Sequence, residues 1–251
     1  MGASTRPAGR TRARVGLTRE RIVAAALDEI DAHGLYSLTM QGVARSLGAG
    51  TMSLYNHVRS KDDLLGAVSE HLWADIAALA PASDNPARWL QSLAQAIRDT
   101  GRRHPNALNI LAVGGVLPPP LLEVIAEQFD RSGDSEPDPR LVNGITTVSA
   151  FAIGWAVTEA AGLTPSATVA QETERQRIRR ITRALPPETP DRLVDAAITV
   201  CAAEPEPMFS ASVAAIIKGC GYEPASSDPG SKTQTSGSSA PRRGQDRAAI
   251  A

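Results

Sequence analysis

Residues 48–65, GAGTMSLYNHVRSKDDLL, gather side chains suited to bonding with a nucleic acid. On a helical wheel at about 100° per residue, Met52, Ser53, Asn56 and His57 fall on one side. Thr51, Leu54 and Val58 fall on the other, with Tyr55 on the border. An Asn amide can pair in bidentate fashion with an adenine edge. A Ser hydroxyl donates or accepts, and a Met can touch a thymine methyl. Tyr55, His57 and Lys61 are placed to reach phosphates. Lys61 lies in the first turn of the next helix, where the N-terminus itself favours an anion. An ordinary solvated helix face can look the same, so the neighbouring elements must decide.

Those elements read as helices. The first is expected from Arg19 to His33, capped by Thr18, with Ile22, Ala26, Leu27 and Ile30 on one face. Gly34 is expected to end it as a left-handed cap. A second helix follows Thr39 and carries Met40, Val43, Ala44 and Leu47 at i, i+3, i+4, i+7. Gly48 closes it. The third is expected from about Thr51 to Val58. Ser60 then caps a long helix, with Asp63 in the reciprocal capping-box position, running to a stop near Pro81. Two short helices around the Gly48-Ala49-Gly50 turn make a helix-turn-helix.

The charge is uneven. Net charge is only -1, but residues 1–61 hold nine Lys/Arg against four Asp/Glu. Residues 62–251 hold seventeen against twenty-three. A basic N-terminal quarter on a mildly acidic body is the layout of a nucleic-acid reader attached to something else. Residues 1–16, with Arg6, Arg10, Arg12 and Arg14, read as a disordered basic arm. Residues 223–251, rich in Ser, Gly, Pro and Thr, read as a disordered tail.

Further helices are expected at Ala87–Arg103, Asn106–Val113, Pro120–Ser132, Arg140–Gly162, Thr173–Ala184, Asp191–Ala203 and Pro207–Gly219. No segment alternates like a strand, so the fold class is all-α. The expected organisation is the arm, a helix-turn-helix DNA-binding domain at 17–62, a larger helical domain at 63–222, and the tail at 223–251. Hydrophobic content of 42% with only 4% aromatics makes Leu, Ile, Val and Ala the main core residues. Cys201 and Cys220 make no disulfide framework and no zinc pattern. No apolar run approaches the ~20 residues of a membrane span, and a cytoplasmic protein is expected. The four histidines show no metal-ligand spacing. There is no GxSxG, P-loop or dinucleotide fingerprint. Neither an enzyme nor a cofactor is expected, and there is no catalytic or metal set.

The stretch from Leu17 to Leu72 resembles the DNA-binding domain of the tetracycline-repressor (TetR) family of bacterial regulators. The resemblance rests on TRERIVAAALDEIDAHG followed by LTMQGVARSLGAGTMSLYNHVRSKDDLLGAV. It implies that the third helix reads the major groove. By position, Thr39, Gln41, Thr51, Met52, Ser53, Tyr55, Asn56, His57 and Lys61 form the implied DNA-contacting set. Gln41 departs from the basic residue that family members often carry there.

The resemblance continues more weakly past residue 80. The Trp89…Leu93 helix, HPNALNILA, GITTVSAFAIGWAVTEAAG and EPMFSASVAAIIKGCG look like the ligand core of the tetracycline-repressor branch. That implies a homodimer joined through the last two long helices, a double-stranded DNA operator and a small-molecule inducer. The tetracycline repressor uses a His in the segment matching 104–112 to hold a metal–drug complex. Here Asn109-Ile110-Leu111-Ala112 lacks one. Near the second metal-linked position stand only Thr158 and Glu159. The expected ligand is therefore a different, largely apolar molecule. Its expected lining is Trp89, Leu93, Asn109, Val113, Phe129, Thr147, Phe151, Trp155 and Thr158, although each also suits ordinary core. A regulator without an inducer, answering to a protein partner or acting as an activator, shares every N-terminal feature.

Overall fold

The computed structural model describes residues 16–113, 118–132, 138–161, 176, 182–183, 186–202 and 205–223. The basic arm, most of the helix expected at Thr173–Ala184, nearly all of the tail and the side chain of Val113 lie outside the described residues.

Ten α-helices contain most of the described chain: α1 Arg19–His33, α2 Met40–Ser46, α3 Thr51–Leu54, α4 Lys61–Leu79, α5 Pro86–Arg103, α6 Leu108–Val113, α7 Pro119–Ser132, α8 Pro139–Ala160, α9 Asp191–Ala202 and α10 Pro205–Gly219. A 3₁₀ turn at Leu35–Ser37 joins α1 to α2. Among the described residues there is no strand, as the periodicity predicts. The start signals work locally. Thr18, Thr39, Ser60 and Asn85 each accept a backbone N–H three residues on, satisfying an otherwise orphaned donor.

Three local expectations need correction. Gly34 has φ 85° but ψ 157°, outside the left-handed helical well. It still closes α1, because its N–H bonds Ile30 O at 2.7 Å. Helix α3 ends at Leu54 rather than Val58. Gly50 gives it no side-chain cap, and one turn has too few backbone bonds to propagate. The chain continues as a turn closed by His57 N→Leu54 O and Val58 N→Leu54 O, each 2.9 Å. Finally, α8 is a 22-residue helix long and apolar enough to cross a membrane by length and composition. Its small and hydroxyl residues hide this in the sequence.

In the structure α8 is a packed helix. The most extensive helix–helix contact joins α5 to α8. Leu141, Ile145, Val148, Ala152 and Ala156 form its buried face. Two glycines permit the close approach. A Cβ on Gly101 would meet Ala156 Cβ and Leu108 Cδ2 at 2.8 Å, and one on Gly144 would meet Leu90 Cδ1 at 2.8 Å.

Helix α4 binds the two ends of the molecule. It packs on α1 and also on α5, α6 and α7. A single hydrophobic cluster therefore runs from Ile22 in α1 to Ile217 in α10.

Candidate nucleic-acid interface

The short α3 is held from beneath by Leu54 and Val58, both 0% exposed. Most of the set expected to face a groove lies outward. Met52 is 77% exposed and Tyr55 44%. Ser53 and Asn56 are exposed, and Thr51 and His57 are half-buried. Asn56 and His57 sit in the turn after the helix, not on it, so the wheel placed them on the correct side through the wrong backbone. The other members of the set are exposed too: Thr39, Gln41 and Lys61. The Thr39 hydroxyl already caps α2, accepting from Gly42 N at 3.0 Å. Lys61 opens α4, directly after its Ser60 cap.

The sequence reading missed what fixes this turn. Arg19, the first residue of α1, donates from Nη1 to the His57 carbonyl at 2.9 Å. It also pairs through Nη2 with Asp63 Oδ1 at 2.8 Å. Asp63 Oδ2 accepts the Arg59 amide at 2.7 Å. Ser60 caps α4 by accepting from Asp63 N at 3.0 Å. The reciprocal half of the expected capping box goes instead to Arg59 N, one residue earlier. The Arg19 guanidinium and then the Arg59 amide hold the Asp63 carboxyl down at about 2, well below its ordinary 3.8. The same hydrogen bond raises Arg19 above its usual value. A groove of roughly 550 Å³ is lined by Arg19, Tyr55, Asn56, His57 and Arg59 among others. No sequence period links residues 19 and 63. The available signal was only an acidic residue at the third position after Ser60.

The expected ligand-lining residues do not come together as one set. Trp89 and Leu93 are each 1% exposed core residues, and Trp89 Nε1 donates to Ala80 O at 3.0 Å. Asn109 is exposed on α6, so it is not the buried amide in need of a partner that its apolar neighbours imply. Phe129 is half-buried, and Thr147 is exposed with its hydroxyl 3.3 Å from Asn143 Oδ1. Thr158 is half-buried and donates to Trp155 O at 2.8 Å.

Phe151 and Trp155 do meet. With Phe209 of α10 they form an aromatic triad with centroids 5.6–5.8 Å apart. The Arg98 guanidinium lies 4.4 Å from the Phe209 centroid and 5.8 Å from that of Trp155. Arg98 is 0% exposed and pairs with Glu159 at 3.0 Å and Glu206 at 2.9 Å. Arg102 pairs with both carboxylates as well. Burial pushes the Glu159 carboxyl up, but hydrogen bonds from Arg98 and Arg102 outweigh it and hold the group below its usual value. Trp155 Nε1 is buried with no hydrogen-bond partner.

Comparison with known proteins agrees with this geometry. Residues 22–68 match the family described as bacterial regulatory proteins, tetR family. A repressor named HTH-type transcriptional repressor DrrR1, from Streptomyces coeruleorubidus, is 33% identical over 149 residues, covering 55% of this chain and 52% of the relative. An uncharacterized HTH-type transcriptional regulator of Mycobacterium tuberculosis is 47% identical over 60 residues, covering 24% of this chain and 28% of the relative. The chain thus spans about half the length, or less, of the curated relatives it matches. Among solved structures, ActR from Streptomyces coelicolor in complex with actinorhodin is 25% identical with TM-score 0.61, covering 82% of this chain and 96% of the other. A possible TetR family regulator from the same species, 22% identical with TM-score 0.61 over 80% of this chain and 97% of the other, shares the fold. With the helix-turn-helix, its outward polar set and the all-helical body in place, residues 22–68 are identified as the DNA-binding domain of the tetR family of bacterial regulatory proteins.

Proposed function

We propose that the protein is a homodimeric DNA-binding repressor that leaves a palindromic operator when a small apolar ligand binds its larger domain. One observation carries the DNA reading. Met52, Ser53 and Asn56 stand exposed on a segment whose other face, Leu54 and Val58, is fully buried. Such a face has unspent bonding capacity and a rigid base, which is what base readout needs. Thr51, Tyr55, His57, Thr39, Gln41 and Lys61 surround it as phosphate and edge contacts.

Two-fold symmetry would place the two recognition segments in successive major grooves, about 34–36 Å apart. The dimer reading is supported by apolar surface left open on α8 and α10, with Val142 46% and Met208 42% exposed. Ligand release requires unequal binding to two states of the protein. The complex of ActR with actinorhodin supports a ligand in this fold. Trp155 is the strongest anchor, because its buried Nε1–H lacks an acceptor.

A second reading keeps the DNA function without an inducer. It is favoured by the tight burial of Trp89 and Leu93, which fills space a ligand would occupy.

The test is selection of bound sequences from random duplex DNA, followed by band-shift titration. A palindrome with half-sites one turn apart is expected. No enrichment would end the DNA reading, and a single unpaired half-site would end the dimer reading.

A further inference from the structure

We infer that Arg19 and Asp63 are positioning residues for DNA readout, a clamp that sets the recognition turn from outside the helix-turn-helix. This rests on the DNA-binding reading proposed above and adds to it the part that makes the readout specific.

Helix α3 is a single turn. Asn56 and His57 therefore lack the backbone ladder that would hold them in a full recognition helix. Leu54 and Val58 fix the ends of the turn by burial. Alongside the turn bonds from His57 N and Val58 N to Leu54 O, the main chain between and after them is held by charged hydrogen bonds. Arg19 Nη1 holds the His57 carbonyl at 2.9 Å, and Asp63 Oδ2 holds the Arg59 amide at 2.7 Å. The 2.8 Å pair between Arg19 and Asp63 joins the two grips. Charge-assisted bonds of this kind are among the stronger ones.

Arg19 thereby spends its charge on partners within the protein, although its side chain is 41% exposed. It sits in a basic region, yet its guanidinium is already engaged by the His57 carbonyl and the Asp63 carboxylate. It aims Asn56 and its neighbours at the base edges. Asp63 extends the consequence. It belongs to the first turn of α4, and α4 continues into the packing of α5, α6 and α7. A displacement of α4 would pull on Arg59 and, through Arg19, on His57. The recognition turn is thus tied directly to the helix that touches the larger domain.

The experiment uses the full chain with Arg19→Met, Asp63→Asn and Arg19→Lys. Affinity for the selected operator and for random duplex is measured across a salt series, together with thermal midpoint and amide exchange at Arg59. Arg19→Met is expected to lose about tenfold on the operator, the size of a modest coupling. Random-duplex affinity and salt slope should stay unchanged, and Arg59 exchange should quicken. Arg19→Lys keeps the charge but cannot fork between His57 and Asp63, so it should restore the operator affinity only in part. A loss shared equally by both duplexes, with a shallower salt slope, would make Arg19 a phosphate contact and overturn the clamp. Unchanged operator affinity would overturn it too. If Arg19→Met does not fold, Arg19→Lys and Asp63→Asn decide by the same readouts. Amide exchange reads the clamp without DNA. Faster exchange at Arg59 in a chain whose wild type binds no duplex would spare the clamp while removing the function it is meant to serve. Unchanged exchange would overturn the clamp in either case.

Discussion

The turn around Asn56 and the cluster around Arg98 are both rich in polar side chains, and they treat them oppositely. In the cluster, Arg98, Arg102, Glu159 and Glu206 bond to one another, and Arg98 is wholly enclosed. In the turn, Ser53 and Asn56 face solvent, while the bonds that fix them come from Arg19 and Asp63 behind. Polar groups that saturate one another are structure. Polar groups held rigid by others, with their own bonds left over, are available for a partner. Trp155 Nε1 is an exception on the buried side, enclosed but unpaired.

The largest effect should come from breaking the saturated side. Glu159→Ala leaves Arg98 enclosed with only the exposed Glu206 as counter-charge. A loss of about 3–5 kcal/mol in urea unfolding is expected. A loss under about 1 kcal/mol would mean the buried pair is not structural. Gly101→Ala follows, since its Cβ would press on Ala156 and Leu108 at 2.8 Å. Overpacking of that kind costs about 1–3 kcal/mol. An unchanged thermal midpoint would show that α5 and α8 can separate without penalty.

The acid limb of stability should follow the clamp. The Asp63 carboxyl is held at about 2 in the folded protein against an ordinary 3.8. Its contribution is present above about pH 4 and is lost as pH falls from 3.8 towards 2. Asp63→Asn should therefore flatten stability in that window and leave its slope at neutral pH alone. An unaltered acid limb would mean the Arg19 pair contributes nothing. The smallest effect belongs to Trp155→Phe, which removes the unpaired N–H and trims the indole to a single ring within the aromatic triad. Stability should hold within about 1 kcal/mol, with operator binding intact and any ligand response weakened. Loss of operator binding would make Trp155 a part of the scaffold.

Local features were the legible ones. Thr18, Thr39 and Ser60 announce helix starts because a cap bonds within three residues. The burial of Leu54 and Val58 follows from a spacing of four. Long-range pairings were not legible. Arg19 and Asp63 lie 44 positions apart, and Arg98 and Glu159 lie 61 apart. No periodicity reports which charged side chains will meet. Glu159 read as a residue near a metal position because its two arginine partners were invisible. Asn109 read as a polar anchor of the ligand lining because its neighbours are apolar, yet it is exposed on α6. The length of α3 was misjudged for a related reason. Tertiary burial of Val58 continues the apolar pattern beyond the point where the helix itself stops.

The central claim is that the exposed face of residues 52–56 reads bases and does more than add polar surface. The most direct measurement is the ratio of operator to random-duplex affinity for Asn56→Ala at fixed salt. The account predicts a loss of about 1–3 kcal/mol on the operator, relaxed preference at one base position and little change on random DNA. An equal loss on both duplexes, with base preference intact, would contradict it.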